Sequence, residues 1–384
     1  MRRLALASLL VPTLAAAAPA LVPDKVIIVG RASESAPWTD AATEARLDDH
    51  AELAAVVLAH RGKQRLILAP DGIGDVRIGG RKEKTAPFAD LGGVRVQWST
   101  VEPHGFRDEA AANGATSMFY SNVATEGPSF GRWLGYDHID YFERVVQPWS
   151  ASARIAAEVT AGEPDAQQVA GLGTVRFKVE LQAASGVTLA SPGLEATDTY
   201  GLTRAVHRVS IRKSDDFLGW LSAYLLVPEV FGSAGGGRDH QTERFTGADC
   251  ADVMVGAWRR TGKGVAYTNV AGLPSYAKIV TPSTEIDDRG MPEAPITGVK
   301  AGDLIRIDYG GTLRNHTPRA FDHVAALWED KSDPAGPFKG GADGQLDGFD
   351  LVIHMGHPRL VIEPLARQAP ATIDVLRWRQ PGQK

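Results

Sequence analysis

The single cysteine of the 384-residue chain, Cys250, is the residue best suited to nucleophilic chemistry. Four of the ten histidines lie downstream of it: His316, His323, His354 and His357. A thiolate is a strong nucleophile, and an adjacent imidazole can take the thiol proton and later return it. This combination fits nucleophilic catalysis, although a buried, inert cysteine is an equally simple explanation of one thiol.

Cys250 begins a segment that predicts a helix over residues 250–261. Asp249 is a suitable N-cap, Asp252 places acid in the first turn, and Gly262 suits the end. One face of this helix is apolar and consists of Cys250, Val253, Met254, Ala257 and Trp258. A helix start lowers a thiol pKa, and its amides can hold an oxyanion, so we expect Asp249 and Ala251 to support the site. Since Asp249 and Asp252 oppose a thiolate, a nearby histidine is required.

Three strands are predicted to carry the downstream histidines. A turn from Lys300 to Asp303 precedes the first strand, within 299–311. The second strand, in 321–330, has His323 at its start. The third has His354 near its end, and a turn and a fourth strand follow within 349–365. We therefore expect His323 and His354 to meet at one edge of a sheet.

These segments together resemble the NlpC-type, papain-like cell-wall peptidases. "DCADVMVGAWRRTG" resembles their nucleophile helix, and "AGDLIRIDYG" resembles their GDL strand. "DHVAALWED" resembles the strand that opens with the catalytic histidine, and "LVIH" resembles the strand with the third polar residue. The order is reproduced over residues 245–365. Two departures are Ala251-Asp252 in place of Ser-Gly, and an apparent inserted loop at 331–348 that would shape the substrate groove.

The resemblance implies roles for three residues. Cys250 would be the nucleophile, His323 its general base, and His354 the group that orients His323. His357 and Asn315 are alternatives for the third role, and His316 and Asp322 are further candidates. The resemblance also implies an α+β, papain-like fold for residues 242–384 and peptidoglycan stem peptides as the substrate class, with no cofactor.

Metal sites are the alternative chemical interpretation of these residues. A zinc ion would use Cys250, His323, His354 and His357, but no pair has a strong ligand spacing. Asp343, Asp347 and Asp350 could bind calcium, but the segment lacks the calcium-loop pattern. We therefore expect no metal site.

The chain before residue 242 is predicted to be mainly β. Short strands separated by turn residues predict one module over 21–150 and a sandwich-like module over 151–241 that ends in the glycine-rich linker "FGSAGGGRDHQ". Two segments are predicted to be helical, 38–60 and 215–226. The expected fold class of the whole chain is thus α+β, with mainly-β modules before a papain-like domain.

The first twenty residues predict a secretory signal peptide. Arg2 and Arg3 precede a short apolar run, and Ala18-Pro19-Ala20 is a cleavage motif. No cysteine lies near the cleavage point, so a lipid anchor there is excluded, and we expect a secreted or periplasmic protein without a membrane span. Removing two arginines from 41 basic residues leaves 39 against 46 acidic residues, a formal charge of −7. This charge argues against nucleic acid as a partner.

The predicted function is an exported cysteine hydrolase that cleaves amide bonds in peptidoglycan stem peptides. One alternative is a non-catalytic protein that binds the cell surface or wall and has a degenerate papain-like domain. Another is an acyltransferase on the same fold. An active thiol is expected to react rapidly with iodoacetamide at pH 6, whereas a buried structural thiol is expected not to react.

Overall fold

The computed structural model describes residues 19–105, 119–163, 169, 171–235, 240–310 and 321–379. Strands dominate these residues. The strands up to residue 231 are β1 (Leu21–Arg31), β2 (Thr43–Arg46), β3 (Glu52–Arg61), β4 (Gln64–Ala69), β5 (Asp75–Ile78), β6 (Arg81–Lys84), β7 (Ala86–Pro87), β8 (Val94–Pro103), β9 (Tyr120–Ser121), β10 (Tyr141–Ser150), β11 (Arg154–Ala156), β12 (Gly173–Ala183), β13 (Thr188–Ala190), β14 (Thr197–Asp198), β15 (Gly201–Leu202), β16 (His207–Arg212) and β17 (Val230–Phe231).

The described α-helices all lie after residue 216. They are α1 (Phe217–Ser222), α2 (Gln241–Arg244) and α3 (Cys250–Arg260). The strands that follow them are β18 (Ala277–Ile286), β19 (Ile296–Thr297), β20 (Leu304–Asp308), β21 (His323–Glu329), β22 (Gln345–Leu346), β23 (Leu351–Met355), β24 (Leu360–Pro364) and β25 (Ala371–Trp378). Short 3-10 helices at Val270–Ser275 and Leu365–Gln368 lie between them.

Two main sheets form the N-terminal part. The first has the strand order β1-β3-β4-β7, with β11 paired to β3, and the second has the order β10-β8-β12-β16-β2, with β13 paired to β12. The predicted helix over 38–60 is wrong, because this segment contains β2 and β3. The run Leu53–Val57 is buried at every position, as a central strand between two partners requires, and this tertiary environment outweighs the helix propensity of its alanines and leucine.

The C-terminal part is built on a six-stranded sheet with the order β18-β25-β20-β21-β23-β24, all of whose pairs are antiparallel. Helix α3 packs against β21 and β23 of this sheet. The predicted α+β fold class, with a papain-like domain, is wrong: the protein is mainly β with several sheets, and its described part has no helical domain. The physical reason is that α3 is a single long helix, and the short apolar segments after it form strands that are buried at nearly every position between their sheet neighbours.

One hydrophobic core connects the sheets. It contains Leu53 and Trp98 from the N-terminal sheets, Leu221 from α1, Trp258 from α3 and Trp378 from β25. The rings of Trp258 and Trp378 are stacked, with centroids 5.0 Å apart and planes 5° apart. The core therefore joins the segments before and after residue 150, and those before and after residue 241. It also holds α3 against α1 and β25.

Several sequence predictions concern residues beyond this description. The signal peptide predicted for residues 1–20 falls almost entirely outside the described residues, as do residues 236–239 of the glycine-rich linker.

The predicted helix in 215–226 is confirmed in part as α1. Among the described residues, no helix has the length and apolar character that a membrane crossing needs.

Candidate active site

Cys250 is the first residue of α3, as the sequence predicts. Asp249 is the N-cap, and its Oδ1 accepts a hydrogen bond of 2.8 Å from the backbone N–H of Asp252. Arg259 and Arg260 occupy the last turn, where cations favour the helix dipole. The cysteine is partly exposed and has no disulfide partner. The helix start therefore presents one thiol beside the amides of its first turn.

The two acids that flank Cys250 anchor the helix start to the segment after β17. Asp252 Oδ2 accepts hydrogen bonds from Ser233 Oγ at 2.8 Å and from the Ala234 amide at 2.6 Å. Asp249 Oδ2 accepts one from the Gly232 amide at 3.0 Å. Burial raises the pKa of Asp252 well above its usual value, and the adjacent Asp249 raises this pKa further. Asp252 thus has a local structural role at the position where the sequence departs from the peptidase pattern.

The two predicted histidines meet on one face of the C-terminal sheet. In the antiparallel pair β21–β23, Ala325 is opposite His354, so His323 points to the same face as His354. His323 Nε2 lies 2.9 Å from His354 Nδ1, and the two rings are perpendicular. The prediction that these side chains meet at one sheet edge is confirmed.

Glu363 completes a chain of hydrogen bonds behind the histidines. His354 Nε2 lies 3.1 Å from Glu363 Oε1, and the hydrogen bond from His354 lowers the pKa of this carboxyl group. A carboxylate only accepts, and Gln368 Nε2, which lies 3.1 Å from His354 Nε2, donates to the same carboxylate; this arrangement favours the neutral tautomer of His354 with its proton on Nε2 and a lone pair on Nδ1. His323 Nε2–H must then donate to that lone pair. This arrangement leaves His323 Nδ1 unprotonated and able to accept a proton.

Gln368 and Tyr309 hold the outer end of this chain. Gln368 Nε2 donates to Glu363 Oε1 at 2.7 Å, and the Tyr309 hydroxyl donates to Gln368 Oε1. The Tyr309 ring lies 6.1 Å from the ring of His323. Burial raises the pKa of Tyr309, and the nearby Cys250 raises it further. Tyr309 therefore lies at the site, near both the thiol and the polar chain.

The thiol of Cys250 lies beside the main chain that carries His323. The backbone N–H of Val324 points at the sulfur, and Nδ1 is the ring nitrogen of His323 nearer to that main chain. No hydrogen bond joins the thiol to the His323 ring among the described residues. Such contacts are often long in a free enzyme and shorten when substrate binds.

The electrostatic surroundings keep both groups neutral. Burial raises the pKa of Cys250, and the charges of Asp249, Asp252 and Glu229 raise it further, against the stabilising Val324 amide. Burial, with a smaller effect of His354, lowers the pKa of His323 to about 3. The resting pair is thus a thiol and a neutral imidazole rather than a preformed thiolate–imidazolium pair, and transfer of the thiol proton to this imidazole is uphill in the free protein.

The amides at the helix start differ in their availability. The N–H groups of Ala251 and Asp252 both point at the Asp249 carboxyl group. Within the described ranges, the N–H of Cys250 itself donates to no acceptor. Of the two residues predicted to support an oxyanion, Asp249 serves as the cap and Ala251 donates to it. The Cys250 amide is the donor still open to a substrate oxygen.

His357, the alternative third residue that the structure describes, lies apart from the relay. His357 Nδ1 contacts Glu229 Oε2 at 2.9 Å, and His354 rather than His357 contacts His323. Asn315, the other alternative, lies outside the described residues. Among the residues that the structure describes, no group of three or more histidine, cysteine, aspartate or glutamate side chains is arranged to hold a metal ion.

Sequence reasoning missed Glu363, Gln368 and Tyr309. The sequence carries a signal for Glu363. A tight hairpin joins β23 to β24 and pairs Val361 with His354, and Glu363, two residues after Val361, lies on the same face as His354. Gln368 had no such signal, since it reaches the site from the 3-10 helix after β24.

With this geometry established, comparison with known proteins gave no match: no family model, no curated protein and no solved structure matches the chain.

Proposed function

We propose that this protein is a cysteine hydrolase that cleaves amide bonds through Cys250, His323 and His354. The observation that supports this proposal is the chain of hydrogen-bonded groups from Glu363 through His354 to His323, whose neighbour Val324 contacts the Cys250 thiol at the helix start through its backbone N–H. Groups linked in this way act as nucleophile, base and orienting group in acyl transfer.

The proposed reaction has two stages. His323 Nδ1 takes the proton of Cys250 while the sulfur attacks the amide carbonyl carbon, and the Cys250 amide donates to the oxyanion. The C–N bond then breaks, the amine leaves with the proton from His323, and a thioester remains. Water gives a proton to His323 as it attacks the thioester, the C–S bond breaks, and the thiol recovers its proton.

His354 and Glu363 act on the base in this scheme. His354 Nδ1 accepts from His323 Nε2–H, which prevents the other tautomer of His323. When His323 becomes positively charged, the Glu363 carboxylate stabilises it through His354. We therefore assign His354 and Glu363 as positioning residues, while Cys250 and His323 react.

The substrate class and location belong to the same proposal. The ordered motifs resemble those of NlpC-type peptidases, which favours peptidoglycan stem peptides as substrates. The signal-like N-terminus agrees with action outside the cytoplasm. An acyltransferase would use the same residues with an amine or hydroxyl in place of water, so product analysis distinguishes the two reactions.

The test compares the unsubstituted protein with Cys250→Ala and His323→Ala on peptidoglycan stem peptides and on intact peptidoglycan. Release of new amine groups is measured, and thermal unfolding checks that each variant is folded. We expect Cys250→Ala to abolish release, and His323→Ala to reduce kcat by about 10²–10⁴-fold. Unchanged hydrolysis by folded Cys250→Ala would refute the proposal.

A further inference from the structure

A second concave site lies at the other end of α3 from Cys250. It is a cavity of about 350 Å³ among β12, β16, α2 and the last turn of α3. We call it the arginine cavity because five arginines line it: Arg176, Arg204, Arg208, Arg244 and Arg260. At a rise of about 1.5 Å per residue, the 11-residue helix separates it from the thiol by roughly 15 Å.

Arg176 is a buried cation without a carboxylate partner. Its side chain is inside the protein, with the residue only 5% exposed. Its Nη1 and Nη2 donate to the backbone oxygens of Phe245 and Arg244, at 3.2 Å and 2.6 Å. No described carboxylate forms an ion pair with it. Burial lowers the pKa of Arg176 to about 10, and the positive charges of Arg208 and Arg244 act in the same direction.

Arg208 and Arg260, which line the cavity with Arg176, share a single carboxylate. Arg208 and Arg260 both form an ion pair with Glu44, with Arg208 Nη2 at 2.5 Å. Together with Arg176 they bring three positive charges to one negative charge. Arg244, a fourth arginine of the cavity, is paired with Asp198, so an excess of two positive charges remains around the buried guanidinium of Arg176, which is unfavourable without a counter-ion.

The acidic side chains on the cavity wall have other partners. Glu243 Oε1 accepts from Arg259 Nε at 2.8 Å and from the Tyr267 hydroxyl at 3.0 Å. Asp40 Oδ2 accepts from the Gly79 amide at 2.9 Å. Neither carboxyl group forms an ion pair with Arg176.

We propose that the arginine cavity binds a small dianion that presents phosphate or carboxylate oxygens. A dianion matches the excess of two positive charges, and guanidinium groups suit both kinds of oxygen because their N–H groups form a planar fork. The volume accommodates inorganic phosphate or a small dicarboxylate. This inference is independent of the chemistry proposed for Cys250.

The test is titration of the full protein with inorganic phosphate and, separately, with succinate, at constant ionic strength. Heat of binding and the unfolding temperature are measured for the unsubstituted protein, Arg176→Gln and Arg289→Gln. Arg289 is 82% exposed in its side chain and is remote in sequence, so its variant controls for the loss of one charge. We expect saturable binding of at least one anion, weakened about tenfold or more in Arg176→Gln and unchanged in Arg289→Gln.

A second variant guards against misfolding of Arg176→Gln. Arg204 is exposed at the cavity, so Arg204→Gln leaves the buried contacts intact, and we expect it to weaken binding as well. Preference for phosphate or for succinate identifies the ligand type. Absence of saturable binding of either anion, or equal binding by the unsubstituted protein and the folded cavity variants, would overturn the inference.

Discussion

Nε2 of His323 and Nδ1 of His354 lie 2.9 Å apart on neighbouring antiparallel strands. This distance is informative because only one proton can lie between the two nitrogen atoms. The carboxylate of Glu363 accepts a hydrogen bond from His354 Nε2–H, which leaves a lone pair on Nδ1, so the proton between the rings belongs to His323. The sheet thereby sets the tautomer of the proposed base.

Substitutions in the relay are predicted to lower kcat more than they change KM. His354→Ala removes the acceptor for His323 and should reduce kcat by about 10²–10⁴-fold. Glu363→Gln should give a smaller loss, because it weakens only the preference for one tautomer of His354. Steady-state kinetics on the substrate identified with the unsubstituted protein measure both effects.

The matched control for the relay is His357→Gln. His357 lies three residues from His354 but contacts Glu229, so we expect kcat close to that of the unsubstituted protein. Glu363→Asp should recover part of the activity lost in Glu363→Gln. A large loss in His357→Gln with little loss in His354→Ala would mean that the relay is assigned to the wrong histidine.

The helix and the pair of histidines could be predicted from the sequence because their signals are local. Asp249 and Gly262 mark the ends of α3, and short apolar runs place His323 and His354 on strands. Neighbouring antiparallel strands then bring their same-face side chains together. The remainder of the relay depends on strand register, which the sequence alone does not specify.

The fold class could not be predicted from α3, because one helix does not determine the architecture around it. An amphipathic helix with a cysteine at its start is compatible with many architectures, and the resemblance selected one of them. The segment 38–60 shows the same problem, since alanine and leucine runs suit a helix as well as a central strand. Its pairing with both β1 and β4 decides the outcome.

Alkylation of Cys250 is predicted to be slow at neutral pH. Burial and the charges of Asp249, Asp252 and Glu229 raise the thiol pKa, so the thiolate is scarce at pH 6. The rapid reaction with iodoacetamide at pH 6 that is expected of an active thiol is therefore not expected for Cys250. The iodoacetamide rate, followed by intact-protein mass spectrometry, should increase about tenfold for each pH unit from 6 to 9.

Two comparisons make the alkylation result specific. Unfolded protein should follow an ordinary thiol pKa of about 8.5, which places its labelling curve at lower pH than the native curve. Glu229→Gln removes one negative charge and should increase the native rate at pH 8. Rapid native labelling that is constant from pH 6 upward would instead indicate a preformed thiolate–imidazolium pair.

Asp252→Asn is predicted to be tolerated better than Asp252→Ala. Asparagine keeps an oxygen for Ser233 and Ala234, whereas alanine loses both hydrogen bonds and should lower the free energy of unfolding by about 1–3 kcal/mol. Because the folded-state pKa of Asp252 is raised, its stabilising contribution is complete below the unfolded pKa of about 3.9 and is lost as pH rises through the folded value.

The pH dependence separates this account from simple packing. Asp252→Asn cannot ionise, so its stability relative to the unsubstituted protein should increase between pH 5 and pH 8. Urea unfolding at both pH values measures the difference. A constant difference across this range would show that Asp252 does not hold its proton in the folded protein.

Asp374→Ala is predicted to be strongly destabilising because it would leave a buried charge without its partner. Arg306 and Asp374 join β20 to β25 through two hydrogen bonds, Nε to Oδ1 at 2.9 Å and Nη2 to Oδ2 at 2.5 Å. Both side chains are 3% exposed, and Nη1 of Arg306 has no partner of its own among the described residues. Removing one member of such a pair costs about 3–5 kcal/mol.

The double variant Arg306→Met/Asp374→Leu tests whether the charge is the cause. It removes both ions and fills the space with apolar atoms, so it should unfold at a higher urea concentration than Asp374→Ala. This order follows because the uncompensated guanidinium, rather than the lost attraction, accounts for most of the cost of the single substitution. If the double variant is less stable than Asp374→Ala, an uncompensated guanidinium does not account for the cost of the single substitution.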